Sequence, residues 1–181
     1  VFPVSVKRAR KCSELLIQMS SNYEEAVDMS DFFLNETQAQ LQKSMFGFSD
    51  EFEQKTNKRI RNAFAGINPE YLQEFSKDAL NETMESDGPA SQLFHHTKDI
   101  PKSIGNIILF AFAGHDTTGH TLTWLLYELC KHPRYKQTLI QEIDEYWKNN
   151  PKENYNTFSQ LPFMTKCITE TLRMWPALAN G

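Results

Sequence analysis

Glycine, cysteine and clustered positive charge are what this sequence has least of, and each shortage excludes something. Seven glycines and eight prolines in 181 residues, with few alternating β-branched runs, argue against a sheet-rich chain and for an all-α one. Cys12, Cys130 and Cys167 are scattered, with no Cys-x-x-Cys spacing. This excludes a disulfide framework or a cysteine-rich zinc site and leaves core thiols or a reducing compartment. A formal charge of −4 excludes a binder of the nucleic-acid backbone. Forty per cent apolar and 23% charged residues make a globular composition rather than a disordered tail. The opening VFPVSVKRARKCSELL has no long apolar run, so no signal peptide or membrane anchor is read in it.

What is present is helical periodicity. SVKRARKCSELLIQMSSNYEEA reads as an amphipathic helix, with Val6, Cys12, Leu15, Leu16 and Met19 near helical spacing. DMSDFFLNETQAQLQKSMFG is a second, with Ser30 or Asp31 as N-cap and Gly47 as stop. EQKTNKRIRNAFAG and PEYLQEFSKDALNETM are shorter helices, and ESDGPAS is a loop. Pro101 opens a long helix that runs to Lys131, before His132-Pro133. That is about 30 residues and roughly 45 Å. PRYKQTLIQEIDEYWKNN and PFMTKCITETLRM are further helices, separated by the loop NPKENYNTFSQL.

The long helix carries the chemistry. NIILFAFAGHDTTGHTLTWLLYELC, Asn106 to Cys130, is apolar at both ends and interrupted by Gly-His-Asp-Thr-Thr-Gly-His. An Asp near a bilayer centre costs about 2.5–3.5 kcal/mol, so burial in protein is the better reading. Helical spacing puts Ile107, Phe110, Gly114, Thr117 and Thr121 on one face and Ala113, Asp116 and His120 on the next. The segment is apolar on all sides around the notch, as expected of a central helix packed by others. Gly114 leaves room for something flat and large. Thr117 can turn its hydroxyl onto the carbonyl of Ala113, loosening the ladder into a widened groove.

Ala113 to Thr118, AGHDTT, is similar to the A/G-G-x-D/E-T-T signature of the cytochrome P450 family, the haem-thiolate monooxygenases. HPRYKQTLIQEIDEYW resembles the helix that follows it in the family. LPFMTKCITETLRMWP resembles the ExxR helix, with Glu170 and Arg173 in the motif, 53 positions after Thr117. VDMSDFFLNETQAQLQKSMFG resembles an earlier family helix that ends in Phe-Gly. The resemblance is tight over Asn106–Pro176, fair over Lys7–Gly47 and poor between.

It implies a partial P450 fold with one domain over 1–181: front helices 1–47, an abridged roof 48–100, the central helix 101–132 and following helices 133–181. It also implies that Ala113, Gly114, Thr117 and Thr118 line a heme b, with Thr117 hydrogen-bonding dioxygen and Asp116 relaying protons. Glu170 and Arg173 would be a fold-locking ion pair. The complete enzyme would take electrons from an NADPH-dependent reductase or a ferredoxin and hydroxylate an apolar small molecule. Eukaryotic members of this kind are attached to the endoplasmic reticulum membrane.

The family's thiolate-bearing loop would lie beyond Pro176, and none of the three cysteines replaces its ligand. The expectation is an internal piece of a monooxygenase, or a truncated relative, inactive and without haem as an isolated chain. The other class of function is a non-catalytic helical interaction module derived from the family.

Simpler readings stand beside these. Asp116 and Thr117 by themselves would pass for a satisfied polar pair in a core. His115 and His120 do not form HExxH, which excludes the commonest helical zinc site. Asp116 with His120 is half of a bundle-type metal site, but no Glu-x-x-His completes it. His95-His96 reads as a solvated loop, and the sequons at Asn35 and Asn81 as chance matches.

Overall fold

The computed structural model describes residues 2–21, 26–97, 99–150 and 160–178, and among them every regular element is helical. In order these are α1 (Phe2–Ser21), α2 (Met29–Leu41), a π-turn (Gln42–Phe46) that continues it, α3 (Asp50–Phe64) and α4 (Tyr71–Met84). Then come α5 (Pro89–Thr97), α6 (Ile100–Lys131), α7 (Pro133–Asn149) and α8 (Pro162–Met174). The all-α reading holds. Most of the expected loop NPKENYNTFSQL, and the end of the first expected helix, lie outside the described residues.

Local chemistry sets most helix ends. Asp99 caps α6 by accepting from Lys102 N at 3.1 Å, and His132 ends it before Pro133. Gly47 stops the second helix in the left-handed region, φ +71°, where a β-carbon would be strained. Three expectations are corrected. The N-cap of α2 is Asp28, which accepts from both Ser30 N and Asp31 N, rather than Ser30 or Asp31. Ser86-Asp87-Gly88 does form a turn, but Pro89 is the first residue of α5. A proline at that position starts a helix rather than extending a loop. His95 and His96 are therefore exposed residues of the last turn of α5, not of a loop.

The chain divides into two compact units, one ending at Gly119 and the other starting at His120. The first is built around Phe46, Phe48, Ile60, Phe75, Phe94 and Ile107, all nearly inaccessible. Each such side chain contributes about 1.5–3 kcal/mol when fully buried. Arg8 of α1 ties the edge together, 2.6 Å from Glu36 of α2 and 3.8 Å from Glu53 of α3. Thr37 and Thr83, the hydroxyl residues of the two sequons, are buried within helices. In both matches the hydroxyl residue belongs to packing.

In the second unit Trp124 and Trp175 stack at 3.9 Å with planes 5° apart. The Trp175 indole donates to Glu128 Oε1 at 3.1 Å. Glu142 of α7 caps α8, its two oxygens accepting from Phe163 N at 2.7 Å and Met164 N at 2.9 Å.

Candidate functional site

Gly114 to Gly119 of the polar notch lie in the part of α6 that belongs to the first unit, and His120 opens the second. One stripe of α6, Ser103, Ile107, Ala111, His115 and Gly119, is buried. The helix is not packed on all sides, however. Leu109 is 59% and Phe112 46% exposed, Ala113 and Thr118 are exposed, and Asp116 and Thr117 are half-buried. Leu109, Phe112, Ala113 and Asp116 are spaced to share one face. The result is an apolar surface with a small residue and a carboxylate on it. Composition could not foresee the open side, because the apolar residues run all the way round.

Thr117 behaves as its local spacing predicts. Its Oγ1 donates to the Ala113 carbonyl at 2.8 Å. The expected widening is absent, since α6 runs as continuous α-helix through the notch. The hydroxyl adds its bond to the ladder without breaking it.

Gly114 faces the other way. A β-carbon there would come within 2.8 Å of Leu41 Cδ1 of α2, so the space this glycine leaves is filled by protein. Gly119 makes a second close approach: its β-carbon would meet Leu34 Cδ2 at 2.8 Å and Leu34 Cα at 3.1 Å. Between them Thr37 Oγ1 lies 3.0 Å from the carbonyl oxygen of His115. Sequence reasoning missed these three α2 residues, although Leu34, Thr37 and Leu41 recur at i, i+3 and i+7, the signature of one helix face.

His115 is in the core, 4% exposed. Its Nδ1 lies 2.9 Å from the Ala111 carbonyl, and its ring stacks on Phe64 at 5.4 Å. Burial pushes its pKa below the ordinary histidine value. It is a neutral packing residue that donates to its own helix.

Glu170 and Arg173 form a bidentate pair, Nε to Oε2 at 2.7 Å and an Nη to Oε1 at 2.6 Å. This is the i, i+3 pairing that the motif predicted. Both side chains are more than half exposed. The hydrogen bonds of the pair hold the Glu170 carboxyl below its usual range and the Arg173 guanidinium above.

A model of the family described as Cytochrome P450 matches residues 4–180. The chain belongs to that family. It is 49% identical over 69 residues to human cytochrome P450 4F3, a stretch covering 37% of this chain and 13% of that protein. Over segments of similar length it is 46% identical to human cytochrome P450 4F12 and 45% identical to human cytochrome P450 4F8. The matched segment is thus about an eighth to a seventh of each relative.

Complete P450 enzymes are haem monooxygenases, so the residues present can be tested against haem. The open face of α6 suits one side of the cofactor: a flat ring can lie over Ala113 with Leu109 and Phe112 beside it. The thiols do not suit the other. Cys12 stands on α1 beside Arg8 and Glu36, and Cys167 on α8 beside Glu142; burial raises the pKa of each. Cys130 is exposed near the end of α6, outside the first unit. Among the described residues no three His, Cys, Asp or Glu side chains are grouped to hold a metal ion, and no helix is long and apolar enough to cross a membrane.

Proposed function

We propose that the chain supplies the distal wall and the ExxR helix of a haem monooxygenase that hydroxylates an apolar small molecule. The observation that carries this reading is the open face of α6, where Leu109, Phe112 and Ala113 adjoin half-buried Asp116 and Thr117. Residues 1–181 are then one part of a single catalytic domain.

Bound heme b would supply dioxygen activation. The chain's own residues do the rest. Ala113 would leave room for the cofactor, and Leu109 and Phe112 would keep that side apolar and dry. Gly114 lets α2 approach behind the same segment, and Thr118 would stand beside the bound cofactor. The Thr117 hydroxyl rests on the Ala113 carbonyl; in the relay it would release that bond, give its proton inward and be reprotonated by Asp116. Half-buried Asp116 takes its proton from solvent and hands it inward, so protons arrive singly without bulk water. Glu170–Arg173 acts on the fold, away from the reaction. The electron donor is an NADPH-dependent reductase or a ferredoxin. The complete enzyme is attached to the endoplasmic reticulum membrane, and the isolated chain is inactive.

A second reading, a non-catalytic helical module, draws support from the exposure of Leu109 and Phe112 on α6. Its binding surface would be the same apolar face.

The test uses the complete enzyme that carries this segment. Reduction and carbon monoxide should move its Soret band to the position typical of thiolate-ligated haem. Thr117→Ala should divert reducing equivalents from product to hydrogen peroxide. A missing Soret shift overturns the haem-thiolate assignment, and unchanged coupling overturns the role given to Thr117.

A further inference from the structure

Asp116 and Thr117 can move protons only if α6 presents them at a fixed rotation and depth. Three contacts behind them fix both, and all come from one face of α2. Leu41 fills the space at Gly114, Leu34 fills the space at Gly119, and Thr37 Oγ1 reaches the His115 carbonyl at 3.0 Å. These points bracket Asp116 and Thr117 in sequence.

Two of the three contacts are steric and one is directional. The close approaches at Gly114 and Gly119 set how near the helices come, but a methyl group can slide along a groove. A hydrogen bond selects one register. Thr37 has a single hydroxyl proton and three carbonyls within reach: Phe33 at 2.8 Å, Leu34 at 3.3 Å and His115 at 3.0 Å. The first two belong to its own helix and are open to any helical threonine. The third exists only in this packing. Its acceptor is the residue immediately before Asp116, so a shift of that peptide moves the Asp116–Thr117 backbone directly. Thr37 is 8% exposed, so water does not compete for the bond.

We propose that Thr37 is a positioning residue for the Asp116–Thr117 pair, acting through the His115 carbonyl. This rests on the reading of Thr117 and Asp116 given above. Thr37→Val keeps the shape and removes the proton; Thr37→Ser keeps the proton. Thr83 is a control, also buried, with its hydroxyl on Ala79 O at 2.6 Å and, among the described residues, no bond to α6.

In the complete, haem-loaded enzyme, Thr37→Val should raise the peroxide-to-product ratio on the order of threefold or more, as small displacements of positioned groups do. Thr37→Ser should restore it, and Thr83→Val should leave it unchanged. A readout independent of turnover accompanies this. Labelling with ¹³C-carbonyl histidine and ¹⁵N-aspartate marks the His115–Asp116 peptide, the one His-Asp pair in this sequence. Its carbonyl resonance should move upfield in Thr37→Val and return in Thr37→Ser. Should Thr37→Val not fold, Thr37→Cys, a weak donor of similar size, takes its place.

Normal coupling in Thr37→Val while Thr117→Ala uncouples overturns this inference and leaves the reading of Thr117 intact. Equal uncoupling by Thr37→Ser and Thr37→Val overturns it in favour of shape alone, as does an unmoved carbonyl resonance. Normal coupling in Thr117→Ala removes both.

Discussion

Leu34 of α2 lies directly against Gly119 of α6, its Cδ2 2.8 Å and its Cα 3.1 Å from where a β-carbon would stand. The near contact includes backbone, so a rotamer change alone cannot relieve it. Gly119→Ala should therefore destabilise the protein by about 1–3 kcal/mol through overpacking, despite the better helix propensity of alanine. Gly105 of the same helix has nothing within 4 Å of its β-position, and Gly105→Ala should stabilise by up to about 1 kcal/mol. Paired urea melts of the two variants read the difference. Equal shifts of the same sign would contradict the close α2–α6 approach.

The Arg8 guanidinium faces two carboxylates, Glu36 and Glu53, with all three side chains at most 10% exposed. Arg8→Met leaves both acids buried without their cation and should cost about 3–5 kcal/mol. Arg8→Met/Glu36→Leu removes one of the two orphaned acids and should recover part of that loss. Denaturant midpoints of the two variants provide the comparison, and a double variant no better than the single one would argue against the pair as drawn.

His115 sets a pH dependence. Its burial lowers the folded-state pKa; Asp116 works against this shift and Arg61 with it. The unfolded chain therefore binds a proton more readily than the folded one. The stability tied to neutral His115 is fully present above the ordinary histidine pKa of about 6.5. It is lost as pH falls from there through the folded value. Tm should decline on acidification below that point, and His115→Gln should flatten the decline. An equal slope in the variant would assign the effect to other groups.

Glu142 bridges two helices by accepting from the first free amides of α8. Glu142→Gln retains one acceptor oxygen and should cost less than Glu142→Ala, for which about 1–2 kcal/mol is expected from a lost cap. Hydrogen exchange should quicken at Phe163 and Met164 before it does in the middle of α8. Uniform quickening along α8 would mean that the contact stabilises the helix as a whole instead of capping it.

Much of the site was legible from local rules. The back-bond of Thr117 to Ala113 and the Glu170–Arg173 pair both form across three or four residues, within one helix turn. Pro101 and His132-Pro133 bracket α6 for the same reason. The start of α5 was missed because Asp-Gly-Pro carries a turn signal and a helix-start signal together. The cap of α8 was illegible because its acceptor stands 21 positions before Phe163.

The sequence by itself determined that this chain is helical, where its longest helix begins and ends, and which residues interrupt that helix. It did so because propensity, capping and i, i+4 pairing act over distances shorter than one turn. Only the tertiary structure decided that Gly114 and Gly119 serve α2, that His115 is core and that Leu109, Phe112 and Ala113 look outward. A helix apolar on every side has no preferred face until other elements pack against it, and where they pack depends on contacts made far along the chain.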